Sequence, residues 1–322
     1  MLLCFALHPG AVLAGTVLTF PQPEQDDSSP AMGAASPQEK TEKKIGDVSA
    51  SPNQKPLISI IVDDLGYLRK AGFRALDLPG HVSFSFIPKA PHARELVDAA
   101  HARGKEILLH IPMESNDNRD LGKSGLTKKM TQTELTQSVC TSIQSMPHAR
   151  GLSNHMGSLL TTRKTSMQWL MGAIRTCGPK DGRNLYFLDS HTTGGTVAAA
   201  TAREYGIPTL ERDVFLDHKP TADFIRGQLH ELVRKAKKKG TALGIAHPYP
   251  ETLKVLGRTL PGLKERGVRL VPVSMLLTRQ TQRRQKSRSN AAHSGDNPPN
   301  GTRGVTMEPM PQAEPRHTRE TE

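Results

Sequence analysis

The chain has 322 residues, 36% of them hydrophobic, and a net charge of +12, which is room for one or two domains or for a single α/β barrel of about 250 residues. Its three cysteines include no closely spaced pair, so a cysteine-type zinc site is excluded and any bound metal must use His and carboxylate. After residue 20 no apolar run approaches the roughly 20 residues that a membrane-spanning helix needs.

Residues 1–20 are mostly apolar. A cut before Gly15 would leave Ala14 and Val12 where a signal peptidase reads small side chains, although no Lys or Arg precedes the run. The expectation is a signal peptide and a periplasmic or secreted protein. Residues 21–55 are rich in Pro, Ser, Gln, Glu and Lys and read as a disordered linker.

The first element is the run Leu57-Ile-Ser-Ile-Ile-Val-Asp63-Asp64-Leu-Gly66. It is nearly continuous in apolar, β-branched residues, as in a strand buried on both faces. It ends in two adjacent carboxylates, which repel unless a cation or a proton lies between them. Asp64 alone would read as a helix cap, with a short helix over 67–76. A strand over 81–87 and a helix over 91–103, stopped by Gly104, follow. The next strand, 106–113, carries His110 and ends in Pro112-Met113-Glu114.

Residues 114–130 read as a polar loop. Thr131 and Glu134 form a capping box for a helix over 131–146. A short strand and turn spans Gly151-Leu-Ser153-Asn154-His155-Met156-Gly157-Ser158, and an amphipathic helix over 166–177 ends at Gly178-Pro179. Cys140 and Cys177 fall in these two helices, either as core residues or as one disulfide. The run 185–190 ends in Asp189-Ser190. A helix over 196–205 leads to a strand over 208–216 that carries Arg212 and Asp213, with Asp217 just beyond it. A helix over 222–239 ends in lysines, and a strand from Thr241 ends in His247-Pro248. A helix to about 266 and a strand over 268–273 complete the pattern. Residues 279–322, basic early and rich in Pro, Asn and Gly later, read as a disordered basic tail without the interleaved aromatics that nucleic-acid binding would use.

Strand and helix alternate seven or eight times, which argues for a parallel sheet, open or closed. No glycine-rich nucleotide loop follows the first strand. Polar residues recur where strands end: Asp63, Asp64, His110, Asn154, His155, Asp189, Asp213, Asp217 and His247. Parallel strands would bring these ends to one face. One carboxylate and two imidazoles suit a catalytic zinc ion, with a further Asp as base and a further His as acid. Met113 and Met156 are soft thioethers and read as packing residues. Ser190 has no assignable base, so it is not read as a nucleophile.

In these motifs the sequence resembles the divergent polysaccharide deacetylase family, a remote branch of the NodB-type carbohydrate esterases. The matching segments are Val62-Asp63-Asp64-Leu-Gly66, His110-Ile-Pro112-Met113-Glu114, Ser153 to Ser158, Leu188-Asp189-Ser190, Arg212-Asp213-Val-Phe-Leu-Asp217 and Ala246-His247-Pro248. Together they span about residues 57–275. The resemblance implies a distorted (β/α) barrel of about seven parallel strands over residues 56–278. It also implies metal-dependent removal of N-acetyl (or O-acetyl) groups from a cell-envelope polysaccharide.

By the same resemblance Asp63 is the general base, Asp64 a metal ligand, His110 a second ligand and His247 the catalytic acid. The family's second metal histidine stands four residues after the first; here that residue is Glu114. His155 is therefore the expected third ligand, with Glu114 as the fallback, and Zn²⁺ the expected ion. Asp189 either caps the next helix or orients a ligand histidine. Arg212 either pairs with Asp213 or polarises the base. Asn154, Glu114 and Asp217 are expected to face substrate. The expected partner is an acetylated glycan, with no nucleic acid and no integral membrane span. A non-catalytic glycan- or partner-binding envelope protein on the same barrel is the alternative.

Overall fold

Strand β1 (Leu57–Leu65) sits in the middle of a parallel sheet, and its alternation decides what lies on either side. Ile58, Ile60 and Val62 turn outward into the core between sheet and helices, whereas Leu57 and Ile61 turn inward, so both faces are apolar. The computed structural model describes residues 55–179 and 184–293. The expected signal peptide, almost all of the expected linker, and residues 294–322 lie outside them.

The other strands are β2 (Ser83–Phe86), β3 (Glu106–Met113), β4 (Gly151–Met156), β5 (Tyr186–Asp189), β6 (Thr209–Glu211), β7 (Val214–Phe215) and β8 (Thr241–Ala246). They run in the order β6-β5-β4-β3-β2-β1-β8-β7, all pairs parallel. A short β9 (Arg269–Leu270) also pairs with β1. Between the strands run α1 (Arg69–Leu76), α2 (Ala93–Ala102), α3 (Gln132–Ser145), α4 (Lys164–Cys177), α5 (Ala198–Glu204), α6 (Ala222–Lys239) and α7 (Pro250–Thr259), and α8 (Val273–His293) comes last.

The single strand expected over 208–216 is two strands, β6 and β7, at opposite edges of the sheet. Only Arg212 and Asp213 separate them. Arg212 N still donates to Asp189 O of β5 (3.1 Å), while Asp213 N already donates to Leu243 O of β8 (2.9 Å). One strand thus changes partners half-way along, and in doing so it joins the two edges into a distorted barrel of seven staves. Where the changeover strips β8 of a neighbour, the Asp213 carboxylate substitutes for one: it accepts Leu243 N at 3.0 Å and pairs with Lys239 Nζ at 3.0 Å.

Inside the barrel, Leu57, Ile61, Leu108, Tyr186, Leu188, Leu210, Leu243 and Ile245 fill the lower layers. Val271, Val273 and Leu276 plug the N-terminal opening. The interior becomes polar toward the strands' C-terminal ends, where Ser85, Ser153, His110 and Asp63 are all buried.

The basic tail does not begin at 279. α8 continues to His293, because Val273 and Leu276 anchor its first turn and the Gln, Arg and Lys that follow are good helix formers. Cys140 of α3 and Cys177 of α4 form a disulfide, with Cα atoms 5.2 Å apart.

A candidate metal centre at the barrel rim

Adjacent strand residues point to opposite faces, so Asp63 and Asp64 should diverge. Asp63 faces inward by simple alternation. Asp64 has φ +63, a left-handed conformation that an Asp adopts more readily than most residues. The pairing of β1 with β2 slips there: Val62 faces Phe84, but Leu65, three residues on, faces Phe86, two on. This bulge swings Asp64 back to the side of Asp63. Gly66, at φ +127, completes the turn; a Cβ there would lie 2.7 Å from Ala90 Cβ.

Three donor atoms meet at this point. Asp64 Oδ1 is 2.7 Å from His155 Nδ1 and 3.1 Å from His110 Nε2, and the donor atoms of Asp64, His110 and His155 lie within 4.8 Å of one another. The histidines come from neighbouring strands, β3 and β4. Their rings stand edge to face, with centroids 5.1 Å apart. The close approaches do not have hydrogen-bond direction: among the described residues Asp64 Oδ1 is buried with no hydrogen-bond partner, as is Asp63 Oδ1. An orphaned carboxylate oxygen facing two ring nitrogens is what a divalent ion would satisfy, and one carboxylate with two imidazoles is a donor set suited to zinc.

His110 is held from behind. Its Nδ1 is 2.7 Å from Ser153 Oγ, which in turn is 3.2 Å from Ser85 Oγ. An Nδ1–H donated to Ser153 leaves Nε2 unprotonated and facing the site. Neither serine is evident as a site residue in the sequence. The available signal is alternation: Ser153 is two residues before His155 on β4 and so faces the same way.

Asp63 and Asp64 respond oppositely to their setting. Burial raises the pKa of Asp63, and the Asp64 charge adds to this, against the opposing effects of His110, His247 and Ser85. Burial would raise Asp64 too, but His155 and His110 outweigh it and hold that carboxyl well below the usual range. Asp64 therefore carries the charge and Asp63 holds its proton more tightly.

His247, just past β8, completes the rim, with Nε2 3.7 Å from Asp64 Oδ2. Its Nδ1 is 2.9 Å from Asp217 Oδ1. Burial would lower its pKa, but the Asp217 hydrogen bond and the charges of Asp64, Asp217 and Asp63 raise it to about 9.

Other expected site residues have different company. Asp217 is buried, and accepts His247 N (2.7 Å) and Thr252 Oγ1 (2.9 Å) besides the imidazole, so it positions His247 rather than facing substrate. Asn154 joins loops: Oδ1 accepts Ser190 N and Nδ2 donates to Met156 O. Glu114 stands outside the metal cluster, since its carboxylate accepts Lys128 N at 2.6 Å and pins the 114–130 loop. Asp189 accepts His191 N, Thr196 Oγ1 and Ala199 N, and so organises the start of α5 instead of touching a histidine ring. Arg212 does not pair with Asp213; it donates to Ser190 O and His191 O at 2.7 Å each. Burial lowers the Arg212 pKa, partly offset by Asp189 and Asp63, so its charge does reach the base. Asp213 belongs to the wall closure.

Residues 60–277 match the family described as divergent polysaccharide deacetylase. The uncharacterized protein YibQ of Escherichia coli is 33% identical over 258 residues, 80% of this chain and 78% of that protein. An uncharacterized protein of Haemophilus influenzae is 34% identical over 208 residues, 65% of this chain and 72% of that protein. The crystal structure of an uncharacterized Agrobacterium tumefaciens protein superposes with a TM-score of 0.64 at 24% identity, over 71% of this chain and 92% of that one, a likeness in fold.

Proposed function

We propose, from the premise that the chain belongs to the divergent polysaccharide deacetylase family, that it is a metal-dependent hydrolase removing acetyl groups from an envelope polysaccharide. The observation that carries this reading is the convergence of Asp64, His110 and His155 within 4.8 Å, with Asp63 and His247 beside them on the same rim.

In this reading Asp64, His110 and His155 hold a divalent ion, zinc by preference for the donor set, which would supply Lewis acidity at the acetyl carbonyl. Asp63 takes the proton from the attacking water; burial raises its pKa and so makes it a stronger base than an exposed carboxylate. His247 gives a proton to the departing sugar amine as acetate leaves. With Nδ1 committed to Asp217, Nε2 is the atom that carries that proton, and the hydrogen bond and charge of Asp217 favour the protonated ring. Arg212, fixed by two carbonyls, biases Asp63 from a distance rather than through direct contact.

The same reading places the protein outside the cytoplasm. The Cys140–Cys177 disulfide supports an oxidising compartment.

The test is metal content of the purified protein by mass spectrometry, followed by acetate release from acetylated chitooligosaccharides and from peptidoglycan. Bound metal with acetate released is the expected result. Bound metal without acetate from either polymer would overturn the hydrolase and leave a glycan-binding protein on the same barrel.

A further inference from the structure

The end of the barrel opposite the rim carries a concentrated positive charge that the proposed chemistry does not use. α6 finishes in Lys235, Lys237, Lys238 and Lys239, immediately before β8 begins at Thr241. α8 starts under the same opening: Val273 N donates to Ser83 Oγ and Ser274 N to Glu106, at the first residues of β2 and β3. It then crosses the end of α6, with Gln280 Nε2 on Thr241 Oγ1 and Arg283 on the Lys239 carbonyl. α8 contributes Arg279, Arg283, Arg284 and Lys286, and contains no Asp or Glu.

Between these helices and the split strand lies a polar cleft of about 490 Å³, lined in part by Lys235, Lys239, Arg283 and Arg284. Its two acids are engaged, Glu211 with Arg203 and Asp213 with Lys239. Of the other cations in the lining, Arg283 and Arg284 make no ion pair among the described residues.

We propose that this end docks on an anionic phospholipid surface, with lipid phosphodiesters seated in the cleft beside Arg283 and Arg284. Charge complementarity is the first argument: clustered Lys and Arg bind anionic headgroups additively. The second separates lipid from nucleic acid. Neither the last two turns of α6 nor α8 holds a Phe, Tyr or Trp on which a base could stack, and the disulfide points to a compartment without nucleic acid. The third is orientation. Docked by this end, the barrel turns Asp64 and His247 away from the lipid and toward whatever lies above it. No described helix is long and apolar enough to cross a membrane, so attachment would rest on charge and fall with salt.

The experiment is sedimentation of the full chain with phosphatidylglycerol-containing vesicles, with pure phosphatidylcholine vesicles and with duplex DNA, at low and high salt. Among the described residues the side chains of Lys237, Lys238, Arg284 and Lys286 make no hydrogen bond or ion pair, so their combined reversal to Glu should leave the circular dichroism spectrum unchanged. It should weaken binding to the anionic vesicles at least about 100-fold. A combined change to Gln is the second variant, with a smaller loss expected. Reversing Lys70 and Arg74 on α1 should leave binding within about twofold of wild type. The inference is overturned by equal binding to the two kinds of vesicle, by tighter binding to DNA than to vesicles, or by an equal loss when Lys70 and Arg74 are reversed.

Discussion

His247 and Asp217 form a unit: the imidazole Nδ1 lies 2.9 Å from Asp217 Oδ1, while Oδ2 of the same carboxylate holds the His247 backbone N–H at 2.7 Å. One side chain thereby fixes both the tautomer and the position of its neighbour's ring. Asp217→Asn preserves the shape but offers an amide that can donate to Nδ1, which favours the wrong tautomer. The expected result is a fall in kcat of about 10–100-fold with KM little changed and metal content intact. The alkaline limb of the kcat profile should also move to lower pH. A loss confined to KM would return Asp217 to a substrate-facing role.

The same pair makes stability depend on pH. His247 has a folded pKa of about 9, above the ordinary value of 6.5, so between these values the folded state binds more protons than the unfolded one. Its contribution is complete below about 6.5 and is lost as the pH rises through about 9. For chelator-treated protein this amounts to about 3 kcal/mol, read by urea unfolding at pH 6 and pH 9.5. Asp63, also raised, acts with the same sign, and the part that disappears in Asp217→Asn is the Asp217 share of the His247 shift, while the shares of Asp64 and Asp63 remain. A wild-type stability that rises over this range would contradict the geometry.

The identity of the third ligand can be tested by metal analysis alone. His155→Ala removes a donor 2.7 Å from Asp64 Oδ1 and should lower metal affinity about 100-fold or more. Glu114→Ala should retain the ion. It should instead free Lys128 N and speed proteolysis within 114–130. The reverse pattern would make Glu114 the ligand.

Asp213→Ala leaves Leu243 N without its side-chain acceptor and Lys239 without its partner. A cost of about 1–3 kcal/mol is expected from the unpaired backbone donor, measured by chemical denaturation. Acetate release per folded molecule should be unchanged below the unfolding transition. A drop in kcat without a drop in stability would make Asp213 part of the chemistry.

Much of the barrel is legible in the sequence because its strands are apolar on both faces and punctuated by Gly or by carboxylates, as at Leu57–Asp64 and Thr241–His247. The division of residues 208–216 into two strands is not: a residue's propensity for strand does not depend on which neighbour it pairs with, and partner identity is a tertiary fact. The helical course of 279–293 was hidden for a related reason. A polar helix owes its order to one anchored turn, here Val273 and Leu276, that lies outside the polar stretch. Within the site, the convergence of Asp64, His110 and His155 follows from strand ends meeting at one rim. The roles of Asn154, Asp189 and Glu114 do not follow, since a buried polar side chain that pins loops and one that faces a ligand look alike until their partners are seen.

The two-residue crossing between β6 and β7 also sets a phase. Side chains alternate along a strand, so one residue inserted or deleted between Glu211 and Val214 would invert every side chain downstream until a turn absorbed the error. Asp217 comes three residues after Val214. The same slip would aim its carboxylate out of the barrel and leave His247 without its partner. An insertion can therefore be absorbed in the loops on either side but not in this short span, where the closure of the wall and the aim of the Asp217 carboxylate depend on one residue count.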